Sequence, residues 1–513
     1  MQRNSARAGG EMIGEHRHDR HHTADAFVTR PGTLRPDPLP HSRSAAAMLL
    51  AAVVAGCTSL APAMPDIASV QSVPERWVLA EPGRTAIPLG TYWTMLGDPL
   101  VDQFVARARS ENLDLAQGAA RLRLARAGLR QARADRVPTI TASGGARRDV
   151  GDLAQDDVVF SAGADASWEA DLFGRIDASI GAARGDLAAA GYSLADVERA
   201  IVATVAAQTV NARTLAAQLA IARETLAVQD DNLQIARWRN QAGLVSSLDV
   251  EQARTQRAQT AASIPQLESS LAATANAIST LIGEPPGAVY RALEGGTRAI
   301  PAPPAGVALE APADTLRRRP DVAGAEARLA ADLQRVGVAR TQLLPLARLS
   351  GSIGTSAVSP GDLLDLVTGN IFAGISQLIF DGGRARSQIG GARANADGSL
   401  AVWRQAILTA LEEVESASVD LDASAEQVAE LTEASEGAQN AAILARSQYQ
   451  AGLIDFQRLL VSESQLLSAR TALANAQGAR AVAFITLARA MGGGWQVPDG
   501  AGIEQSAAKE PTQ

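Results

Sequence analysis

The run Gln241-Ala242-Gly243-Leu244 returns as Gln450-Ala451-Gly452-Leu453. The shift from 241 to 450 is 209 residues, and the same shift carries Gly174-Arg175 onto Gly383-Arg384 and Gly283 onto Gly492. Solenoid units are far shorter, about 20 to 50 residues. The chain is therefore constrained to two homologous halves, each a large structural unit.

Composition narrows what such a half can be. Aromatics are 4% of the 513 residues, and much of the apolar share is alanine, which cannot fill a thick core but lets helices approach closely. Long helices in thin layers are the expectation. A net charge of −8 gives no electrostatic case for nucleic acid. The five histidines (His16, His18, His21, His22, His41) precede residue 42, and the single cysteine is Cys57. With no imidazole or thiol downstream, Cys/His nucleophilic chemistry and the usual zinc sets are excluded there. No catalytic residue, resident metal or cofactor is expected.

Arg43 precedes an apolar run over 45–55, too short to span a bilayer core of about 30 Å but suited to a signal peptide. It ends in Val54-Ala55-Gly56-Cys57, which resembles a bacterial lipobox. The implied modification is a covalent lipid on Cys57, and multiple acyl chains anchor stably where one does not. Thr58 and Ser59 follow with no aspartate directly after the cysteine, a pattern that resembles outer-membrane sorting. Residues 1–42 are long for a leader, so the translation start is expected further downstream. The Pro- and Ser-rich stretch 62–88 reads as an extended tether.

Each half shares one punctuation. Asp98-Pro99 is an N-cap carboxylate with proline at the first helical position. A short helix reaches about Ser110, and a second, from about Leu113 to Arg136, is stopped by Pro138. In the second half Asp314 opens a short helix, Pro320-Asp321 restart it and Pro345 stops it. After each stop the period becomes two. Phe160, Ala162, Ala164, Ala166 and Trp168 alternate with Ser161, Gly163, Asp165 and Ser167. Weaker strands are read at 140–142, 349–353 and 371–380. On pattern alone, soluble hairpins and transmembrane strands fit equally.

Very long helices follow. No proline occurs over 175–240, and Leu215, Leu219, Ala222, Leu226, Gln229, Leu233 and Ala236 form a four-three seam. Its partner, 384–449, repeats the spacing with Ile407, Leu411, Val414, Leu421, Ala425 and Val428. Both end at the Gln-Ala-Gly-Leu turn, where glycine suits a left-handed cap. Shorter helices return over about 248–281 and 456–490. At about 1.5 Å per residue, a helix of roughly 66 residues spans on the order of 100 Å, nearly matched by the two shorter ones end to end. Each half is thus a long antiparallel rod with a β-hairpin at one end and a tight turn at the other.

These residues carry a resemblance. Trp93 with Gly97-Asp98-Pro99-Leu100, the run Trp168 to Arg175, Ile264-Pro265-Gln266-Leu267-Glu268, the run Leu281 to Pro286, Arg318-Arg319-Pro320-Asp321-Val322 and Phe380-Asp381-Gly382-Gly383 resemble the TolC-like outer-membrane factor family. The nearest branch is the lipoprotein one serving resistance-nodulation-division efflux systems. The resemblance implies a homotrimer: a mainly α chain with a small β part, a long antiparallel α-helical barrel plus a transmembrane β-barrel, four strands per chain and twelve in all. Four strands alone cannot close a membrane barrel. Phe160, Ala162 and Ala164 would face lipid, Asp165 and Ser167 the lumen. Trp168 and Phe173, at the strand-to-helix junction, would sit at the membrane interface, and plain packing explains them equally well.

The resemblance further implies a periplasmic gate at the helix tips, with Asp249 and Tyr449 meeting in the closed state. Acidic positions usual in the family after the second turn are held here by Arg458 and Val461, with Asp455 and Glu463 nearby. Helix capping explains Asp249 and Asp455 equally well. The implied function is a passive exit duct in the outer membrane, partnered by a periplasmic adaptor and an inner-membrane pump, exporting small toxic compounds. The alternatives are the outer-membrane component of type I protein secretion and, from another class, a soluble coiled-coil scaffold. The expected organisation is a leader and signal peptide (1–56), lipidated tether (57–90), first repeat (91–290), linker (291–312), second repeat (313–493) and tail (494–513).

Overall fold

The structure, a computed structural model, describes residues 60–79, 85–150, 157–295 and 299–495. Cys57, the histidine cluster, the leader and residues from 496 onward lie outside the described residues. After a short helix α1 (Ile67–Val70) and a 3-10 segment (Leu89–Leu96) come α2 (Pro99–Glu111), α3 (Leu113–Ala134), β1 (Thr139–Arg148), β2 (Val158–Ala170), α4 (Arg175–Gln241) and α5 (Ser247–Leu281). A short α6 (Ala288–Gly295) leads into the second half. There, α7 (Pro312–Arg318), α8 (Pro320–Thr341), β3 (Leu346–Ala357), β4 (Val367–Ser376), α9 (Arg384–Gln450) and α10 (Phe456–Ala490) repeat the order. Both long helices have 67 residues and both returning helices 35.

Three sequence expectations are corrected. The helix read from Asp314 begins at Pro312, and Asp314 lies in its first turn. The strand read over 371–380 runs from Val367 to Ser376. Its last pair is Leu346↔Ser376, because β3 cannot extend back through Pro345, which has no N–H to give. The seams of α4 and α9 do not join those two helices to each other. Toward the sheet, α8 lies between them; toward the tips, α10 does. The single layer therefore runs α3 or α5, then α4, then α8 or α10, then α9.

Small residues set the spacing in this layer. A methyl added at Gly185 would meet the Ala331 Cβ at 2.8 Å and the Ala327 carbonyl at 3.0 Å, so α4 and α8 approach almost backbone to backbone. The thicker core sits at the waist, where Tyr92 and Trp93 stack edge to face and Tyr92 also meets Phe484. Asp98 caps α2 by accepting from the Leu100 N–H and takes a bidentate pair from buried Arg213 at 2.7 and 3.0 Å. That pair staples α2 to the middle of α4.

The sheet has the order β1-β2-β3-β4, all antiparallel. Its register sorts side chains by face. Ile140, Ala142, Phe160, Ala162, Ala164, Trp168, Leu349, Ile353, Ile371 and Ile375 share one face. Thr139, Thr141, Ser161, Asp165, Ser167, Ser350, Ser352, Thr368 and Asn370 share the other. Within the chain, β1 and β4 each leave one edge unpaired.

Candidate functional site

The layer's far end is built from two helix hairpins that terminate alike. At the first, the Gly243 N–H bonds the Asn240 carbonyl (2.9 Å) and the Leu244 N–H bonds the Arg239 carbonyl (2.8 Å). At the second, Gly452 to Tyr449 (3.0 Å) and Leu453 to Gln448 (2.9 Å) repeat the pattern. These are Schellman caps, which need a left-handed residue; φ is 71° at Gly243 and 75° at Gly452. Leu244, Leu248 and Leu453 are exposed at the tips.

The next helices start differently. Ser246 caps α5 in a reciprocal box with Asp249: the Asp249 N–H donates to Ser246 Oγ at 3.3 Å, and the Ser246 N–H to Asp249 Oδ2 at 3.0 Å. The position matching Ser246 is Asp455, which alone caps α10 by accepting from the Arg458 N–H at 2.8 Å. Asp249 and Arg458 are thus matching positions, and the second hairpin has no reciprocal box.

Tyr449 is buried. Arg239 lies over its ring, 4.4 Å from the centroid, and donates to the Tyr449 carbonyl at 3.1 Å and the Gln450 carbonyl at 3.4 Å. The Phe456 ring packs against it, 5.3 Å between centroids. Leu233, Ala236, Ala253 and Leu459 complete this cluster. No hydrogen bond or ion pair joins Asp249 to Tyr449 within the chain, among the described residues. Arg239 was not singled out by sequence; its place in the last helical turn, where cations favour the dipole, was the available signal.

Further from the tip the same helices hold buried polar groups. Glu463 accepts from Asn232 Nδ2 at 2.5 Å and Arg446 Nη2 at 3.1 Å. Gln229, one turn above Asn232, is buried with both amide atoms unpartnered, and the buried Tyr449 hydroxyl is unpartnered too. Each such group carries a desolvation cost of about 1–3 kcal/mol, as does the unpartnered Tyr92 hydroxyl at the waist.

At the waist, Arg319 is 1% exposed. It donates to both Asp321 oxygens (3.1 and 2.6 Å), to Glu413 (2.6 Å) and to the Ala490 carbonyl (2.9 Å). Arg199 donates to the Arg489 carbonyl at 3.0 Å and lies 3.4 Å from Asp321. The two arginines thereby cap the last carbonyls of α10. Burial pushes the Asp321 carboxyl up, but the Arg319 hydrogen bond and the Arg199 and Arg319 charges hold it below the usual range. In the first half, Asn112 does this without charge, donating Nδ2 to the Leu281 carbonyl at 2.8 Å.

At the sheet end, Trp168 donates Nε1 to the Arg136 carbonyl at 2.9 Å, tying the strand rim to the end of α3. Phe173 lines a cleft of roughly 460 Å³ with Arg175, Pro345 and Leu378. Ser167 meets Thr139 hydroxyl to hydroxyl at 2.9 Å, and Asp165 is exposed on the polar face. The structure therefore separates the predicted residues into a tip set and a rim set at opposite ends of the long helices. Among the described residues, no group of acidic, histidine and cysteine side chains is arranged to hold a metal ion.

Residues 104–284 and 311–493 each match the family model described as outer membrane efflux protein. The chain is 33% identical to the pyoverdine export outer membrane protein OpmQ of Pseudomonas aeruginosa, over 88% of this chain and 96% of the relative. It is 27% identical to the probable outer membrane lipoprotein SilC of Salmonella typhimurium, over 86% and 97%. The solved outer-membrane channel OprN superposes with a TM-score of 0.73 at 31% identity, covering 84% of this chain and 99% of that one.

Proposed function

The chain belongs to the outer membrane efflux protein family, and from that premise we propose a lipid-anchored trimeric exit duct whose gate is formed by the two glycine-turn tips. It is an outer-membrane efflux channel, with its sheet in the membrane and its helices extending into the periplasm.

One observation supports closure by further copies, and the family resemblance supplies the number three where two copies would also close eight strands: both the sheet and the helical layer end in unsatisfied edges. β1 and β4 present unpaired strand edges, which lipid does not tolerate. Below them, the outer side of α9 is a line of small residues, Ser387, Gly391, Ala394, Gly398 and Ala401. An added methyl at Gly391 or Gly398 meets nothing within 4 Å in one copy. The opposite edge, α3, offers Ala116, Ala120, Leu124, Ala127 and Ala134. These lines fit one another across a copy boundary, where small residues let helices close up. Three copies give twelve strands, with Asp165 and Ser167 inside and the apolar face outside. Cross-linking of Gly391→Cys with Leu124→Cys in intact membranes tests this, and a covalent trimer is the expected product. Dimers alone after complete reaction would overturn it.

Lipidation of Cys57 is supported by where the tether starts. Arg340 Nη1 donates to the Leu60 carbonyl at 2.8 Å, and an added methyl at Gly337 would meet Ala61 at 3.1 Å. Leu60 is therefore clamped at the sheet end of α8, and three extended residues reach about 10 Å at most. Leu60, three residues after the proposed anchor, is thus held near the level where strand gives way to helix, which is where an acyl anchor must be.

The gate reading rests on Tyr449, which Arg239 and Phe456 hold at the tip end of the helices. A periplasmic adaptor and an inner-membrane resistance-nodulation-division pump supply the opening force and the energy; this chain supplies a conduit. Its polar face, largely Ser, Thr, Asn and Gly with Asp165, Arg348 and an exposed Phe372 among them, suits small, water-borne cargo, including toxic compounds. Reconstitution in planar bilayers tests the duct directly: a stable small conductance that grows on tip disruption is expected, and no conductance would sink the reading.

A further inference from the structure

The chain is acidic overall, yet its helices are strongly basic just below the sheet. On α3, Arg123, Arg126, Arg130 and Arg133 follow one another at spacings of three, four and three, so they form a single line. All four are exposed, and none has an ion-pair partner among the described residues. The line continues to Arg136, which pairs with Asp177 of α4. Two turns further along α4, seven residues on, is exposed Arg184.

The other edge of the layer matches. On α9, Arg386, Arg393 and Arg404 are spaced by seven and eleven residues, both close to whole turns. They are exposed and unpaired among the described residues. Eleven residues beyond Arg404 stands Glu415, which accepts from the tether's Val78 and Leu79 N–H groups. The arginine line therefore lies on the tether's side of α9. The opposite side of the layer is marked by the Arg335–Asp186 pair. With α3 running toward the sheet and α9 away from it, the right-handed sense of each helix places both arginine lines on the tether's surface. In a closed ring α9 of one copy abuts α3 of the next, so the two lines merge into a belt. Among the described residues, its unpaired carboxylates are Asp397 and Glu326, against eight unpaired guanidiniums.

We propose that this belt docks on the anionic phospholipid headgroups of the periplasmic leaflet, setting the depth and tilt of the barrel. The inference rests on the membrane placement of the sheet. Like charges this dense repel one another unless a counter-charge is supplied, and the copy interface supplies none, since α9 at that level is itself basic. Position selects lipid phosphate as the source. Arg133 and Arg130 lie within about 10 Å of the α3 end, and the headgroup layer below a bilayer core is about 5–7 Å deep. Arg126 and Arg123 lie at most about one Debye length, some 8 Å, beyond that. Guanidiniums bind phosphate bidentately, which suits arginine rather than lysine at such a surface. The composition agrees, because the next stretch of α9, residues 405–445, carries nine carboxylates and no basic residue. The charge changes sign where the membrane is out of reach.

The test uses the full lipidated protein in phosphatidylethanolamine vesicles with brominated phosphatidylglycerol or brominated phosphatidylethanolamine as quencher. Trp168 at the rim is the reporter. The wild type should be quenched more by the brominated anionic lipid at equal content, and added salt should reduce the difference. The variant Arg123→Gln/Arg126→Gln/Arg130→Gln/Arg133→Gln should lose that preference by on the order of fivefold. Its all-lysine counterpart should keep most of it, and Arg328→Gln, on the other surface of α8, should be unaffected. If the fourfold variant does not assemble, Arg130→Gln/Arg133→Gln serves, with a smaller loss expected. Equal quenching by both lipids in the wild type, or full preference in the variants, overturns the proposal. Conductance through the same vesicles reports separately on the channel reading.

Discussion

Asp249 and Arg458 occupy matching positions in the two halves, 209 residues apart, and carry opposite charges. Asp249 completes a reciprocal cap with Ser246, whereas Arg458 contributes only its backbone N–H to Asp455. The two hairpins that form each copy's tip are therefore unlike in the first turn of their returning helices. Losing an N-cap costs about 0.5–2 kcal/mol. Asp455→Ala is expected to fray α10, which has no second capping side chain, more than Asp249→Ala frays α5. Proteolysis at the two tips, compared between the variants, measures this.

Arg239 ties α4 to the last turn of α9 through the Tyr449 ring and two carbonyls. Arg239→Ala removes a cation–π contact worth about 0.5–2 kcal/mol together with those hydrogen bonds. Where the closed tip prevails, about 1–2 kcal/mol raises the open population by roughly five- to thirtyfold. Higher basal conductance in planar bilayers is the expected outcome, and Arg239→Lys should restore the closed tip only in part. Replacing Asp249 and Tyr449 together with alanine should also raise basal conductance if they meet between copies. Unchanged conductance there, with Arg239→Ala still leaky, would move the gate to the Arg239–Tyr449 pair alone.

The anchor makes a chemical prediction. Cys57→Ser should abolish incorporation of labelled fatty acid, and continued labelling would refute lipidation at this residue. Gly337→Val should leave labelling intact but displace the tether, because the added carbons occupy the space of Ala61. Protease cleavage between residues 60 and 79 should then increase.

The waist cluster predicts an acid response. Asp321 titrates below its ordinary value, because the Arg319 hydrogen bond and the Arg199 and Arg319 charges outweigh the cost of its burial. Its contribution to stability is then fully present above the unfolded carboxyl value of about 3.9 and is lost as pH falls through the lower folded value. Asp321→Asn should be less stable at neutral pH and should flatten the stability loss in that acid window, measured by thermal unfolding across pH. Arg319→Met leaves Glu413 without its cation and Asp321 with Arg199 alone, and is expected to cost up to about 3 kcal/mol.

How far the sequence could be read followed from the range of the interactions. The turns at Gly243 and Gly452, the caps at Asp98 and Asp455 and the stops at Pro138 and Pro345 are local, and their residues announced them. The alternation from Phe160 to Trp168 likewise gave the two faces of the sheet. The lateral order of helices was not legible, since a four-three seam says that a helix has a partner but not which one. Gln229 shows the same limit: its place in the α4 seam was visible, but not that burial would leave both amide atoms unpartnered. The role of Arg319 depends on the Ala490 carbonyl, 171 residues away, and no local pattern encodes such a contact. The end of β4 was misread because Ile379 and Phe380 continue an apolar pattern that the partner strand cannot follow past Pro345.

The closest packing of α4 on α10 offers the sharpest structural test. A methyl added at Gly478 would meet Thr214 Cγ2 at 3.1 Å and Cβ at 3.2 Å and would run into its hydroxyl. Thr214 is buried and its hydroxyl bonds the Val210 carbonyl at 3.0 Å within its own helix, so it cannot swing freely away. Gly478→Ala would ordinarily gain helix propensity, roughly 0.8–1 kcal/mol. Overpacking costs about 1–3 kcal/mol and is expected to win, lowering the unfolding midpoint. Thr214→Ala opens the space that the added methyl needs, so the double variant should recover most of the loss. A double-mutant cycle by thermal unfolding measures the coupling, and additive effects would show that the two helices relax apart instead.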